Sequence, residues 1–144
     1  MLDFQERAAI IVAVSDVLAR LTHAADLGTL EEYAALLTED FVWEMPDMPV
    51  VGLPAQVRRG REGAVIGARE RRDAAIQGPG TGTFHVITNI SVMPGRNEST
   101  ATTYWHFYTG AGGDPALRAQ GIYRDRFVLV DGEWLIARRQ LVRP

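Results

Sequence analysis

The chain has 144 residues, of which 47% are hydrophobic and 23% charged, a composition typical of one globular domain with a packed core. With a net charge of −3, the chain lacks the broad positive field that non-specific nucleic-acid binding needs. No apolar run approaches the roughly 20 residues of a bilayer span, and an N-terminus with Asp3 and Glu6 does not resemble a signal peptide. We therefore expect one domain over residues 1–144, located in the cytoplasm, with neither a nucleic-acid nor a membrane partner.

Missing residue types restrict the possible chemistry further. The chain has no Cys, which excludes a thiolate nucleophile, a disulfide and a thiolate metal site. All fifteen basic residues are Arg, and the absence of Lys excludes a Schiff base. No Ser lies in a G-x-S-x-G motif, and no glycine-rich nucleotide loop or H-x-x-x-H metal motif occurs. Any reaction must use His, Asp, Glu, Tyr or Arg, and we predict no cofactor and no metal.

The first half of the chain is predicted to be mainly helical. Apolar residues recur at i, i+4 and i+7 between Asp3 and Ala25, the spacing of an amphipathic helix, and Gly28 is expected to end this helix in a left-handed conformation. Thr29-Leu30-Glu31-Glu32 matches the capping box of a short second helix that runs to about Leu37. A third helix is predicted over Glu62–Ile76.

The second half is predicted to be an antiparallel meander. Hydrophobicity alternates with a period of two from Thr83 onward, and Asp131-Gly132 indicates a hairpin with a two-residue turn. The predicted strands are 41–45, which precedes a Pro-rich loop and the third helix, and then 84–93, 101–108, 120–130 and 133–142. Helices followed by a meander predict an α+β fold.

Four stretches in this order resemble the SnoaL-like branch of the nuclear transport factor 2-like, or ketosteroid isomerase-like, superfamily, close to scytalone dehydratase and hexachlorocyclohexane dehydrochlorinase. They are Ala24-Ala25-Asp26, Leu36–Phe41, Thr83–Asn89, and Gly121–Asp125 with Asp131–Arg139. The resemblance covers nearly the whole chain. It implies a cone-like α+β barrel in which a strongly curved, mostly antiparallel sheet packs on three N-terminal helices around an internal pocket.

The resemblance also implies a catalytic pair. Dehydratases and related lyases of this superfamily use an Asp–His dyad, with the Asp at the end of the first helix and the His in the first strand of the meander. Asp26 and His85 match these two positions. Arg139 stands where the dehydrochlorinase has an Arg, and His106 is similar to a second pocket His of scytalone dehydratase. Histidine exchanges protons near neutral pH, and a buried Asp fixes its tautomer and stabilises the imidazolium.

Strand alternation suggests further pocket residues. It places Tyr104 and His106 on one face of their strand, where they are predicted to bind a substrate oxygen if this face lines the pocket, and it places Asn89 on the same face as His85. The alternative interpretation is that His106 is an ordinary strand histidine bonded to a neighbour.

The last hairpin and two aromatic residues complete the predicted site. Pairing across the Asp131-Gly132 turn predicts Asp125 opposite Arg138 and Arg124 opposite Arg139, unless a bulge shifts the register. Two opposed arginines need an anion between them, which gives Arg139 an independent claim to a pocket role. Trp43 and Tyr123 are predicted to bind substrate.

Other charged residues are expected to be solvated. His23 lies on the first helix three residues before Asp26, and we expect it to point outward. Six arginines near the third helix alternate with acidic residues and are interpreted as a solvated helix face; they are Arg58, Arg59, Arg61, Arg69, Arg71 and Arg72.

The sequence thus predicts a cofactor-independent lyase of the dehydratase type, acting on a small hydrophobic or cyclic organic substrate. An isomerase or a polyketide- or terpenoid-type cyclase needs the same groups. A non-catalytic ligand-binding protein or a small subunit of an oxygenase is the alternative from a different class, because one fold serves several functions. From the resemblance we also expect a homo-oligomer, either a dimer or a trimer.

Overall fold

The computed structural model describes residues 1–144, with three α-helices and six strands. The helices are α1 (Phe4–Asp26), α2 (Leu30–Ala34) and α3 (Gly60–Asp73). The strands are β1 (Leu37–Met45), β2 (Gln56–Arg59), β3 (Phe84–Met93), β4 (Glu98–Thr109), β5 (Ala116–Val130) and β6 (Glu133–Val142). A 3₁₀ turn, Pro49–Val51, lies in the Pro-rich loop.

Side-chain caps define the starts of α1 and α2. Thr29 and Glu32 form the predicted capping box of α2, and Asp3 and Glu6 form a second one at α1. The prediction of a left-handed Gly28 is wrong, because Leu27 caps α1 and Gly28 has no positive φ. Position 28 is a glycine because there is no room for a side chain: a Cβ there would lie 2.9 Å from the backbone of the preceding helical turn.

All six strands form one curved sheet in the order β2-β1-β6-β5-β4-β3. Every neighbouring pair is antiparallel except β1 and β6, which run parallel and bring the first strand beside the last. The predicted α+β cone, with a mostly antiparallel sheet on N-terminal helices, is confirmed. The short edge strand β2 was not predicted, because its four residues include two arginines and carry little apolar alternation.

A bulge changes the predicted register of the last hairpin. Asp131 and Gly132 both have positive φ, as the predicted two-residue turn requires. Beyond Phe127 the ladder shifts by one residue, so Asp125 lies opposite Arg139 rather than Arg138. The two opposed arginines predicted from the unbulged register therefore do not occur at position 139.

A second bulge lies in β3 between Thr88 and Ser91. Asn89 adopts a φ of 53° there, a conformation that Asn tolerates better than most residues. The bulge breaks the alternation that would have placed Asn89 on the same face as His85, and Asn89 is exposed. The prediction of Asn89 as a substrate-binding residue is therefore wrong.

The hydrophobic core lies between the inner face of the sheet and the helices. α1 contributes a stripe spaced at helical period, which is Val14, Val17, Leu18 and Leu21. By length and composition alone, α1 is apolar enough to cross a membrane, contrary to the expectation from the sequence, although core helices of globular proteins share these properties. His23 is exposed on the opposite face of α1, as expected.

Candidate active site

A cavity of about 70 Å³ lies between α3, the end of α1 and the inner face of the sheet. Of its 19 lining residues, 14 are hydrophobic. The polar or ionisable side chains among them are Thr22, Tyr33, Arg71, Arg72, Gln77, His85 and Tyr123. At roughly 10–15 Å³ for each water, the volume holds several water molecules or part of a compact organic ligand. The cavity wall is thus mainly apolar, carries no carboxylate and has few polar groups.

Asp26 contacts His85, which lines this cavity. Asp26 is the last residue of α1 and is only 2% exposed, and His85 is the second residue of β3 on its inward face. One carboxylate oxygen of Asp26 lies 2.6 Å from His85 Nδ1, and the other accepts a hydrogen bond of 2.7 Å from the backbone N–H of His85. The structure therefore brings together the two residues that the resemblance paired.

This geometry fixes the protonation pattern of the imidazole. A carboxylate only accepts hydrogen bonds, so neutral His85 carries its proton on Nδ1 and leaves the lone pair of Nε2 free. The ring packs at 4.8 Å against Phe107 and at 6.5 Å from Trp105, both of which also line the cavity. His85 is thus a positioned base on an apolar wall.

Arg72 holds the helix end that carries Asp26. Its guanidinium donates to the carbonyl oxygens of Ala24, Ala25 and Gly28 at 2.9 to 3.3 Å. A cation at this place satisfies the last carbonyls of α1 and offsets the negative end of the helix dipole, which would otherwise repel the Asp26 carboxylate. Arg72 therefore positions the dyad, and the expectation that it is solvated is wrong.

Both predicted aromatic ligand contacts line the cavity. Trp43 and Tyr123 are buried and form part of its wall. Tyr33 of α2, which no pattern in the sequence indicated, also lines the cavity. Burial raises the pKa of Tyr33, and it raises the pKa of Tyr123 to about 12, so both hydroxyls keep their protons at neutral pH and are able to donate hydrogen bonds to a ligand.

Arg139 does not line the cavity, contrary to its predicted catalytic role. The bulge in β6 places it opposite Asp125, to which it donates two hydrogen bonds of 2.9 and 3.0 Å. Its guanidinium also lies 3.6 Å from the centre of the Tyr123 ring. Burial opposes the charge of Arg139, but the adjacent Asp125 raises its pKa above the ordinary value. Its charge is therefore compensated, and Arg139 supports Tyr123 from behind.

His106 and Tyr104 lie on the outer face of the sheet. Tyr104 is 47% exposed, and His106 Nδ1 lies 3.3 Å from the carbonyl oxygen of Val86 on the neighbouring strand. The residues of β4 that line the cavity are the alternate ones, Trp105 and Phe107. The predicted pocket roles of His106 and Tyr104 are wrong because the large apolar side chains of β4 face the core.

Arg71 is the functional candidate that the sequence analysis interpreted as solvated. It is 7% exposed, lines the cavity, and places its guanidinium carbon 4.6 Å from the centre of the Trp43 ring. A signal was present in the sequence, since Arg71 continues the stripe of small residues Ala64, Gly67 and Ala68 at helical spacing, and this stripe is the buried face of α3.

The family model of the SnoaL-like domain matches residues 6–140. The chain belongs to this family. No curated protein matches this SnoaL-like chain. SnoaL-like proteins are often enzymes such as dehydratases and cyclases, and the matched region includes both Asp26 and His85.

Several experimental structures have a similar fold. The SnoaL-like chain is similar to a Catenulispora acidiphila protein in complex with S-DNPA, with 27% identity, a TM-score of 0.73, and coverage of 93% of this chain and 94% of that one. Two proteins of Novosphingobium aromaticivorans share its fold. One is a candidate scytalone dehydratase (22% identity, TM-score 0.68, coverage 96% and 87%). The other is the beta subunit of a candidate aromatic-ring-hydroxylating dioxygenase (19% identity, TM-score 0.72, coverage 94% and 89%).

Proposed function

We propose that this SnoaL-like chain is a cofactor-independent lyase of the dehydratase type, in which His85, oriented by Asp26, removes a carbon-bound proton from a small cyclic substrate. The observation that carries the proposal is the pair of hydrogen bonds, 2.6 and 2.7 Å long, by which a buried carboxylate orients one imidazole on the wall of an apolar cavity. A base positioned in this way contributes about 10²–10⁴ to a reaction rate.

The proposed reaction uses one base in both proton transfers. Nε2 of His85 takes a proton from the carbon next to a carbonyl group, and the electrons of the broken C–H bond form an enolate. The enolate then expels the β-hydroxyl group, which receives the proton from the imidazolium and leaves as water. Asp26 stabilises the imidazolium between the two steps. His85 is neutral again at the end, so the reaction needs no other reactant.

Tyr33 and Tyr123 are suited to hold the substrate oxygen. Because burial raises the pKa of both phenols, they remain protonated and donate hydrogen bonds to a carbonyl or enolate oxygen. They are weak acids for the same reason, which favours return of the proton from His85 rather than from a tyrosine. The mainly apolar wall lowers the local dielectric constant, which strengthens these interactions.

One observation also favours an isomerase or a cyclase. His85 is the only cavity-lining side chain with a free basic atom, since the other ionisable groups there are tyrosines and arginines. A single base that removes a proton and returns it to another carbon needs nothing further. Of the similar proteins, the candidate scytalone dehydratase supports the elimination, while the dioxygenase beta subunit represents the alternative without a base-catalysed step.

The test is to incubate the protein with cyclic β-hydroxy ketones in D₂O and to follow the products by NMR. A dehydratase forms the conjugated enone, an isomerase incorporates deuterium without losing water, and a binding protein does neither. His85→Ala is expected to lower the rate about 10²–10⁴-fold. His106→Ala is the matched control, because it removes an imidazole on the outer face of the sheet. Full activity of His85→Ala would overturn the proposal.

A further inference from the structure

Arg71 is the only arginine near the cavity that has no acceptor in the protein. Arg72 is bonded to three backbone carbonyls, Arg61 donates to the carbonyl oxygen of Leu37, and Arg139 is paired with a carboxylate. The side chain of Arg71 makes no hydrogen bond and no ion pair, and its Nε and Nη1 atoms are buried without a partner. A cation placed in this way is unusual, because buried charges are normally paired.

The guanidinium of Arg71 remains charged and is held in place. The Trp43 ring lies against it at 4.6 Å, and no Asp or Glu side chain lines the cavity. Glu70, the adjacent acidic residue on α3, is exposed and pairs with Arg58. Burial lowers the pKa of Arg71, yet the guanidinium of an arginine stays protonated at neutral pH. The cavity wall therefore carries a buried positive charge that no carboxylate contacts.

We propose that Arg71 is an anion-binding residue and that the ligand of this cavity carries a carboxylate. This inference rests on the proposed function in one respect, since it places the carboxylate at Arg71 and the reacting carbon at His85 on the same molecule. A carboxylate supplies two acceptors with the spacing of the guanidinium fork. Trp43 offers a flat apolar surface for the part of the ligand next to the carboxylate. The substrate class is thus a compact cyclic carboxylic acid.

The charge of Arg71 points to a permanent anion. A cation that served only an enolate would meet its counter-charge during the reaction alone, so that its removal would lower kcat and leave ligand affinity unchanged. A cation that binds a carboxylate of the substrate acts before the reaction and changes affinity. The two roles differ in a binding measurement that needs no turnover.

The experiment compares acids with their neutral amides by calorimetry. Benzoate and 2-naphthoate, each against its own carboxamide, are titrated into wild type, Arg71→Met and Arg69→Met. Arg69 is exposed on the same helix and is the matched control. Wild type and Arg69→Met are expected to bind at least one acid about tenfold or more tightly than its amide, the effect of one charge-assisted contact. Arg71→Met is expected to lose this preference.

Melting temperatures show whether the variant is folded. Arg71→Met removes an unpaired buried charge, so the ligand-free variant is expected to melt no lower than wild type. If Arg71→Met does not fold, Arg71→Lys provides the test, since it keeps the charge, loses the planar fork and is expected to weaken the preference several-fold. Wild type that binds both members of each pair equally, or binds none of them, would overturn the proposal, as would a preference that persists in Arg71→Met.

The same titration with His85→Ala separates this inference from the proposed function. His85→Ala is expected to retain the preference for acids, because it leaves Arg71 unchanged. A preference that depends on Arg71, together with full turnover by His85→Ala, would refute the lyase and leave the anion site established. If His85→Ala loses turnover and wild type shows no preference for acids, the lyase is supported and the anion site is refuted.

Discussion

Replacing Asp26 by Asn tests the geometry of the dyad directly. The backbone N–H of His85 always donates, and its acceptor is a carboxylate oxygen of Asp26. In Asp26→Asn the amide must turn its oxygen toward this N–H, which directs the amide NH₂ toward His85 Nδ1. That nitrogen then has to accept, so the imidazole proton moves to Nε2. The variant keeps the shape of the site and removes the lone pair that faces the cavity.

The size of the effect follows from the two hydrogen bonds. A hydrogen bond to a charged group contributes roughly 1.5–3 kcal/mol, which favours the Nδ1–H tautomer about 10-fold to 150-fold. Reversing this preference removes the base, so turnover is expected to fall about 10²–10⁴-fold. The variant loses a charge-assisted bond as well, which lowers the free energy of unfolding by roughly 1–3 kcal/mol and the melting temperature by roughly 2–4 °C for each kcal/mol.

The assay is ¹⁵N NMR of the imidazole nitrogens at alkaline pH, because the two tautomers are defined for the neutral ring. The chain has only three histidines, so His23 and His106 provide internal references in one spectrum. In wild type, Nδ1 of His85 should have the shift of a protonated nitrogen and Nε2 that of an unprotonated one. In Asp26→Asn the two shifts should exchange. A variant that keeps the wild-type tautomer, or keeps its activity after the tautomer changes, would refute the reasoning.

Three further predictions concern buried residues of β5. Asp125→Ala should lower the free energy of unfolding by roughly 3–5 kcal/mol, because it leaves Arg139 charged and buried, whereas Asp125→Leu combined with Arg139→Met should recover most of this loss in urea denaturation. Gly121→Ala should cost roughly 1–3 kcal/mol, because the new Cβ would lie 2.9 Å from the facing indole ring, while Gly63→Ala should be neutral or stabilising, since its nearest contact is 3.8 Å. The pKa of Tyr123 is 10 in the unfolded chain and about 12 in the folded protein, so the folded state holds the phenol proton more tightly. The contribution of this proton to the free energy of unfolding is therefore complete below pH 10 and is lost as the pH rises toward 12.

Each of these predictions has an outcome that contradicts it. Equal losses for the single and the double variant at positions 125 and 139 would show that packing, rather than an unpaired charge, dominates there. Equal melting temperatures of Gly121→Ala and Gly63→Ala would mean that the facing indole moves freely. For Tyr123, the contribution amounts to roughly 2–3 kcal/mol over two pH units. A Tyr123→Phe variant with an unchanged fall in stability between pH 10 and 12 would disprove it, and Tyr104→Phe is the surface control.

Local signals in the sequence predicted much of the fold. The capping box at Thr29 and the turn at Asp131-Gly132 depend on side-chain chemistry within a few residues, and both occur as predicted. The alternation of hydrophobic and polar residues predicted the observed bounds of β3 and β6, because it reflects burial of one face of each strand. The pairing of Asp26 with His85 joins positions 59 residues apart, so no local pattern could show it and only the resemblance suggested it.

The errors have physical causes that one sequence does not display. Two bulges moved Asn89 and Arg139 away from their predicted places, because one extra residue in a ladder reverses every following face. Charge misled the interpretation of α3, where Arg71 continues a buried stripe of small residues. A charged residue at a buried position of an otherwise uncharged stripe violates the usual pattern of burial, and such violations are expected at functional sites.

The cavity has two walls that are distant along the chain, and this arrangement is useful for engineering. Asp26 and His85 supply the proposed base, while α3 supplies the guanidinium of Arg71 and, through Ala68, part of the apolar wall. A library confined to the buried stripe of α3 would therefore vary ligand preference and leave the base unchanged. Selection from such a library would yield variants that bind ligands of different shape and charge and keep the same proposed base, so that specificity is changed through α3 alone.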